Sequence, residues 1–408
     1  MTETVLTADG TGPGVLDVAW GNVPEGGRTI GTEQLLAAVA ELVDESSAGK
    51  VLSGAGATDA ALLAVVRERG RGTNDPGAPA GTGWESTDDR DGTVDAAQAL
   101  NGRAEPDRLL SGAAARAFTA ARELAVQEAA GREPAGQEPA VREGVTGFTA
   151  DHLLRALLAD GANRATETLR GCGITPERIL ARLDAREYGP ADDGLDPALW
   201  PTRDILLGRP PQGDVPFLWR QIFTLTQGQN LATVPVVWVI WDTREQARAL
   251  GRKRSTEHLV LALLATYEAG LAHPHLAGEG GIAPERRLAG GARPARQGLD
   301  HAAVLRALAE EPELGKDDDH VDEYLHAARK AGTTGPLLDA LLRGRTRAGR
   351  LLASLGYVDD AGEKDDDEED EGAAAELLDL LDAGWVTDIV PVGGKQIRKV
   401  WRLLRDPG

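Results

Sequence analysis

A short phrase recurs four times along this chain, and it constrains the fold more than any other feature. Each copy joins a cap residue to the Leu-rich start of a helix, and the last copy is eroded. The copies are Gly31–Leu36 (GTEQLL), Thr149–Leu154 (TADHLL), Ser255–Val260 (STEHLV) and Thr333–Leu338 (TTGPLL). Repeats of this kind mark supersecondary units that bury their apolar faces against their neighbours. The phrase therefore predicts a chain that is mainly an array of helical modules.

The sequence around each copy repeats as well. An Ala-rich stretch that stops at a glycine precedes three copies, which predicts a helix each time. These stretches are Ser111–Gly131, Thr233–Gly251 and Asp319–Gly332, and the first copy has a Gly-interrupted version between Leu16 and Trp20. After each copy come a Leu and a Gly-rich stop, and the first two units then have a last helix, over Thr58–Arg69 and Thr175–Ala185. Trp238 and Trp241 share one helix face, which favours a place in the core.

This unit of Ala-rich helix, turn, Leu-rich helix, glycine stop and short helix resembles the N-terminal repeat (Clp R) domain of the Clp family of AAA+ unfoldases. That family carries Gly-Thr-Glu-His-Leu-Leu at the start of its second helix, and the first copy departs from it only at Gln34. In the family two units pack into one pseudo-twofold helical domain. The resemblance therefore implies an all-α fold with two such domains, at residues 1–188 and, in degenerate form, 233–360.

Other stretches are predicted to lie outside these domains or to interrupt them. Residues 70–106 are crowded with Gly, Pro, Asp and Thr and indicate a disordered insertion, and residues 189–232 indicate a linker. The acidic segment 361–375 is predicted to be a solvated linker, because its like charges repel. Residues 376–408 favour a short helix followed by a β-hairpin that turns at Gly393-Gly394.

Sequence signatures of catalysis are missing, which points to a binding protein rather than an enzyme. A phosphate-binding loop needs Gly-x-x-x-x-Gly-Lys followed by Ser or Thr, and the nearest string, Val392–Gln396, lacks the first glycine and the hydroxyl residue. There is no Gly-x-Ser-x-Gly elbow or His-Glu-x-x-His, and the sole cysteine, Cys172, cannot form a Cys-pair zinc site. We therefore predict no catalytic residues, no metal and no cofactor.

Charge and hydropathy narrow the class of partner. The chain has 44 Lys and Arg against 65 Asp and Glu, a net charge of −21. That charge argues against nucleic acid or an anionic membrane as the main partner and favours basic or unfolded proteins. No apolar run approaches the roughly 20 residues that span a bilayer, and the N-terminus lacks the pattern of a signal peptide. With a single cysteine, these features predict a cytoplasmic location.

The resemblance also implies candidate binding residues. In the Clp N-terminal domain the Glu of the phrase is implicated in holding the guanidinium of a phospho-arginine tag on client proteins, with a hydroxyl residue at the first helix start near the phosphate. Carried over position by position, the acids are Glu33, Asp151 and Glu257, and the hydroxyls are Thr7, Ser111 and Thr233. A carboxylate can accept two parallel bonds from guanidinium, and free helix-start amides attract phosphate. The alternative is that these residues only begin their helices.

Several functions stay open at this level. The resemblance implies an adaptor that presents clients to a Clp machine, a decoy that competes for tagged clients, or a protein that sequesters small molecules aimed at the N-domain. A second class is a transcriptional or DNA-associated regulator that would use the basic C-terminal hairpin. Its basic residues are Lys395, Arg398, Lys399, Arg402 and Arg405.

Overall fold

The computed structural model describes residues 12–24, 27–43, 45–74, 83–86, 92–96, 108–131, 147–209, 230–310, 312–328 and 332–359. Helices make up most of this part of the chain, which confirms the predicted helical class. The described residues fall into two compact units. Residues up to 194, with Asn230, form the first unit, and residues 195–209 and 231–359 form the second.

The first unit contains eight described helices and three short strands. The helices are α1 (Gly12–Gly21), α2 (Thr32–Glu41), α3 (Ser47–Ala55), α4 (Asp59–Asn74), α5 (Gly112–Gly131), α6 (Ala150–Ala159), α7 (Arg164–Gly171) and α8 (Pro176–Ala185). The strands β1 (Thr29–Ile30), β2 (Thr93–Asp95) and β3 (Leu109–Ser111) form one sheet in the order β1-β3-β2. The strand β3 pairs parallel with β1 and antiparallel with β2.

The described residues of the second unit form helices joined by turns and loops, with no strand among them. Its helices are α9 (Trp200–Leu206), α10 (Pro235–Ala249), α11 (Thr256–Ala272), α12 (Pro274–Ala277), α13 (Pro284–Arg287), α14 (Ala289–Arg296), α15 (His301–Ala309), α16 (Val321–Ala328), α17 (Gly335–Arg343) and α18 (Arg347–Ser354). Two short 3-10 turns, Pro197–Leu199 and Leu231–Thr233, precede α9 and α10.

Each unit has its own apolar core, and the phrase helices lie in it. In α2 and α11 nearly every residue of the Leu-rich stretch is buried. Trp238 and Trp241 on α10 are buried as well, which confirms their predicted place in the core. No single helix in the described ranges is both long and apolar enough to cross a membrane, and α3 and α4, which pass that test only as a pair, are bent by 71°.

Local caps explain where several helices begin. Thr175 precedes α8 and accepts a hydrogen bond from the Arg178 amide, 3.3 Å away, while Pro176 occupies the first helical position, as the sequence predicts. Ser46 accepts a hydrogen bond from the Gly49 amide at 2.9 Å and so begins α3. These starts depend on neighbours in sequence, which is why they could be predicted without the tertiary structure.

The structure differs from the sequence predictions in two stretches. Within the predicted disordered insertion 70–106, α4 continues to Asn74 and β2 pairs with β3. Within the predicted linker 189–232, α9 packs on α10 and α11 as part of the second unit. Both elements are short and are fixed by partners far away in sequence. The predicted acidic linker 361–375 and the predicted hairpin 376–408 lie outside the described residues.

Candidate functional site

Each phrase begins a helix, and in the first three phrases the side chain of the fourth residue accepts a hydrogen bond from the backbone amide of the first. The Gly31 amide donates to Gln34 Oε1 at 2.7 Å, the Thr149 amide to His152 Nδ1 at 3.1 Å, and the Ser255 amide to His258 Nδ1 at 3.2 Å. Gln34 therefore does in the first copy what histidine does in the next two. A side-chain acceptor at this position satisfies a backbone donor that would otherwise lack a partner.

The second and third residues of each phrase face the start of another helix in the same unit. The Ala165 amide donates to Thr32 Oγ1 at 3.1 Å, the Ala348 amide to Thr256 Oγ1 at 3.0 Å, and the Gly290 amide to Thr334 Oγ1 at 2.9 Å. Ala165, Ala348 and Gly290 are the second residues of α7, α18 and α14. We call this contact between a phrase and a facing helix start an interlock.

The second phrase makes its interlock by another route. Ala150 stands where the other phrases have threonine, so no hydroxyl is present to accept a hydrogen bond. Asp151 replaces it, because its Oδ1 accepts from the Ala48 amide at 2.8 Å. Ala48 is the second residue of α3, the equivalent position in the facing helix. The shorter acid at Asp151 is therefore matched to a backbone donor rather than to a guanidinium.

Glu257 holds an arginine of its own chain. Its side chain is 1 % exposed and meets Arg347, with Nη2 2.7 Å from Oε1 and Nε 2.8 Å from Oε2. Burial alone would raise the pKa of Glu257, but the hydrogen bonds from Arg347, Ser255 and the backbone, together with the charge of Arg347, lower that pKa. The same contact raises the pKa of Arg347. The geometry is a two-point carboxylate–guanidinium pair.

Glu33 faces the equivalent arginine in the first unit. It is 3 % exposed, and its Oε1 lies 3.4 Å from Arg164 Nη1. Arg164 and Arg347 are the first residues of α7 and α18, one position before the amides of the interlocks. The two predicted acids with the family's Glu thus lie in different units, and each faces an equivalent arginine.

The interlocks of the second and fourth phrases have neither the glutamate nor the arginine of this ion pair. Asp151 faces the helix start Ser47-Ala48, and the fourth phrase has Gly335, whose missing Cβ would lie 3.5 Å from the Ala289 Cβ. Glutamate and arginine are thus present together at two interlocks and absent together at two. This correlation indicates that the glutamate and the arginine are present as binding partners of each other.

A short segment of chain crosses each Glu–Arg pair; we call residues 83–86 and 314–317 the crossing segments. In the first unit the Trp84 ring lies 5.1 Å from the Arg164 guanidinium carbon, and the Glu85 and Ser86 amides donate to the Glu167 carboxylate at 3.0 to 3.2 Å. The crossing segment therefore places an aromatic ring over the Arg164 guanidinium.

In the second unit the crossing segment is tied into the interlock itself. Asp317 accepts from Thr256 Oγ1 at 2.6 Å and from the Arg347 amide at 2.6 Å, and Arg347 Nη1 donates to the Gly315 carbonyl at 2.7 Å. Arg350 also donates to the carbonyls of Leu314 and Lys316. The Asp317 carboxylate thus accepts hydrogen bonds from the first residues of both α11 and α18.

The predicted hydroxyl residues have separate positions. Ser111 is 5 % exposed, and its Oγ accepts from the Ala114 amide at 3.1 Å, so it caps α5 as predicted. Thr233 ends a 3-10 turn, and Val234 rather than Thr233 directly precedes α10. Thr7 lies outside the described residues. Of the two hydroxyl residues that the structure describes, Ser111 alone therefore has the predicted helix-start position.

Arg164 and Arg347 are the important residues that the sequence analysis missed. A weak signal for them exists in the four facing helix starts, which have Ser47, Arg164, Ala289 and Arg347 at the same position. Arginine occurs there only opposite a phrase that contains glutamate. Comparing the phrases with one another was not enough, because the matching residue lies in a different helix.

Other chemistry in the described ranges is sparse. No group of three His, Cys, Asp or Glu side chains in this part of the protein is arranged to hold a metal ion. Cys172 lies at the end of α7, and burial raises the pKa of its thiol to about 12, far from the range of a reactive thiolate. Comparisons with known proteins gave no match to a family model, a curated protein or a solved structure.

Proposed function

We propose that this protein is a non-catalytic protein-binding module made of two tandem Clp N-terminal-like units, and that it works in the cytoplasm on the Clp proteolysis system. The observation that supports this most is the repeated interlock, in which each phrase contacts the equivalent helix start elsewhere in its unit. Such reciprocal contacts are what pairs of helical repeats need in order to bury their phrase helices together. The role is that of an adaptor, a decoy or a sequestering protein.

The proposal is tested by direct binding. The full chain is titrated with the purified Clp unfoldase of the same organism, with that unfoldase lacking its N-domain, and with its known adaptors, by isothermal titration calorimetry. We expect saturable binding to at least one of them. Absence of binding to every Clp component and to phospho-arginine proteins would contradict the proposal.

Binding of a phospho-arginine tag by the phrase acids would require competition with arginines of the chain itself. A client guanidinium must displace Arg347 from Glu257, or Arg164 from Glu33, before either acid can hold it. The 3.4 Å contact between Glu33 and Arg164 is longer than the 2.7 and 2.8 Å contacts between Glu257 and Arg347, so the first unit is the better candidate. Asp151 is held by a backbone amide, which favours a structural role for it.

This competition has a clear experimental signature. Titration with free phospho-arginine should give tighter binding to Arg164→Ala than to the unchanged protein, because the internal competitor is gone. Arg116→Ala, which removes a surface arginine 3.9 Å from Asp160, is the matched control and should leave binding unchanged. If Arg164→Ala and Glu33→Ala both bind phospho-arginine like the unchanged protein, the acid does not read the tag.

A further inference from the structure

The short helix α9 is fastened to α10 by fully buried polar bonds. Trp238 Nε1 donates to the Thr202 carbonyl at 3.1 Å, and Thr202 Oγ1 donates to Asp242 Oδ1 at 2.5 Å. All three side chains are 0 % exposed. One carboxylate in the interior of the second unit therefore bonds directly to α9.

Asp242 is buried with neutral hydrogen-bond partners only. Gln246 Nε2 donates to its Oδ2 at 3.1 Å, and Gln246 Oε1 then faces His301 Nε2 at 3.1 Å. No cation in the described part of the chain pairs with Asp242. An ionised carboxylate in such a place lacks the charge compensation that buried acids normally require.

The surrounding charges do not supply this compensation. Arg203 on α9 and Arg209 just after it both donate to Asp204, and on α11 Glu268 Oε1 accepts from the His301 amide at 2.7 Å. The charged or titratable groups on the elements around Asp242 are Arg244, Glu245 and Arg248 on α10, Arg203 and Asp204 on α9, Glu257, His258, Tyr267 and Glu268 on α11, Asp196 before the first 3-10 turn, Asp300 before α15, His301 and Arg306 on α15, and Asp322, Glu323, Tyr324 and His326 on α16. Acids predominate in this set.

The pKa shifts of these groups agree with their burial. Burial raises the pKa of Asp242 to about 7, against the lowering effect of its hydrogen bonds from Thr202 and Gln246, and the charge of Glu245 raises it further. Burial likewise lowers the pKa of His301, and it raises that of Glu268. Among these groups Asp242 alone bonds directly to α9.

We propose that the second unit contains a proton-operated latch, in which protonated Asp242 holds α9 on α10 and ionised Asp242 loosens it. When α9 leaves, water replaces Thr202 at the carboxylate and the proton is released more easily. The docked state therefore binds one more proton than the open state between the two pKa values. Docking is strongest in acid, weakens as the pH rises toward 7, and is constant above it. The latch would control the helix that carries the exposed Trp200.

Hydrogen exchange in the full chain tests the latch. Amide protection of residues 199–206 is measured from pH 5 to 8.5, corrected for the intrinsic exchange rate, in the unchanged protein and in Asp242→Asn. In the unchanged protein we expect protection to fall by up to tenfold per pH unit below about pH 7 and then to level off. Asp242→Asn keeps a donor and an acceptor but cannot ionise, so its curve should lack this slope. Contributions of His258 and His301 cancel because both proteins contain them.

Two further measurements keep the proposal testable. Glu268→Gln neutralises the neighbouring acid that does not touch α9, and it should leave the slope in place; loss of the slope in this variant would overturn the latch. If Asp242→Asn does not fold, carbon-13 NMR of aspartate-labelled unchanged protein decides the matter. One aspartate carboxyl titrating near pH 7 supports the latch, and titration of every aspartate below pH 5 contradicts it.

Discussion

The two units build the same Glu–Arg interlock but hold its crossing segment with side chains of opposite charge. Glu167, three residues after Arg164, accepts hydrogen bonds from two backbone amides of the first crossing segment. Arg350, three residues after Arg347, donates to two backbone carbonyls of the second. Both side chains lie about one turn into their helices, but one is acidic and the other is basic. This is possible because a backbone segment offers both donors and acceptors.

The ion pairs themselves also differ between the units. Glu257 and Arg347 are joined at two points, and Asp317 accepts a hydrogen bond from the Arg347 amide, whereas Glu33 and Arg164 meet at 3.4 Å and the Trp84 ring lies over Arg164. The second unit thus relies on charge-assisted hydrogen bonds, and the first adds an aromatic face. The comparison predicts different responses to equivalent substitutions.

The largest effect is expected for Glu257→Ala. Removing one partner of a buried, two-point ion pair leaves Arg347 without its carboxylate, and we expect a loss of about 3 kcal/mol in the free energy of unfolding of the second unit. Glu33→Ala should cost the first unit less. Urea unfolding followed by hydrogen exchange reads each unit separately. Equal losses in both variants would show that the contact geometry does not determine the loss in the free energy of unfolding. The double variant Glu257→Ala with Arg347→Ala should recover part of the stability lost in Glu257→Ala.

A smaller effect is expected for Asp151→Ala, which leaves the buried Ala48 amide without an acceptor. The cost should be about 2 kcal/mol in the first unit, typical of an unsatisfied buried donor. Adding Ala150→Thr to this variant restores the hydroxyl that the other three phrases use, so stability should return. Thermal unfolding measures both proteins. Failure of the threonine to rescue the first substitution would mean that the interlocks are not equivalent.

The smallest effect is expected for Trp84→Ala. It removes the aromatic face over Arg164, which is worth roughly 1 kcal/mol or less at a partly exposed site. Hydrogen exchange at residues 83–86 should rise while the rest of the unit stays protected. Trp200→Ala, which removes an exposed ring over Arg203 in the other unit, serves as the control and should leave that segment unchanged.

The sequence allowed the helical class and many helix starts to be predicted because those depend on neighbouring residues. Thr149 and Thr175 cap their helices through contacts only three residues long. Trp238 and Trp241 could likewise be assigned to the core from helix periodicity.

The pairing of the acids with arginine could not be predicted in the same way. Arg164 looks like an exposed residue at a helix start, and only the tertiary fold brings Glu33 to it. The strand β2 was missed because Thr93–Asp95 is too short to show alternation and gains its order from β3. The helix α9 was missed since its burial depends on α10, some 30 residues further along the chain.

The separation of the paired residues along the chain has a consequence for chain entropy. Glu33 and Arg164 are 131 positions apart, and Glu257 and Arg347 are 90 apart. Since the entropy cost of closing a loop grows only with the logarithm of its length, the longer loop costs about 0.3 kcal/mol more. The first unit can therefore have a much longer chain segment between its paired residues than the second, at almost no cost in the free energy of folding. Such a segment is a tolerant place for new sequence to accumulate.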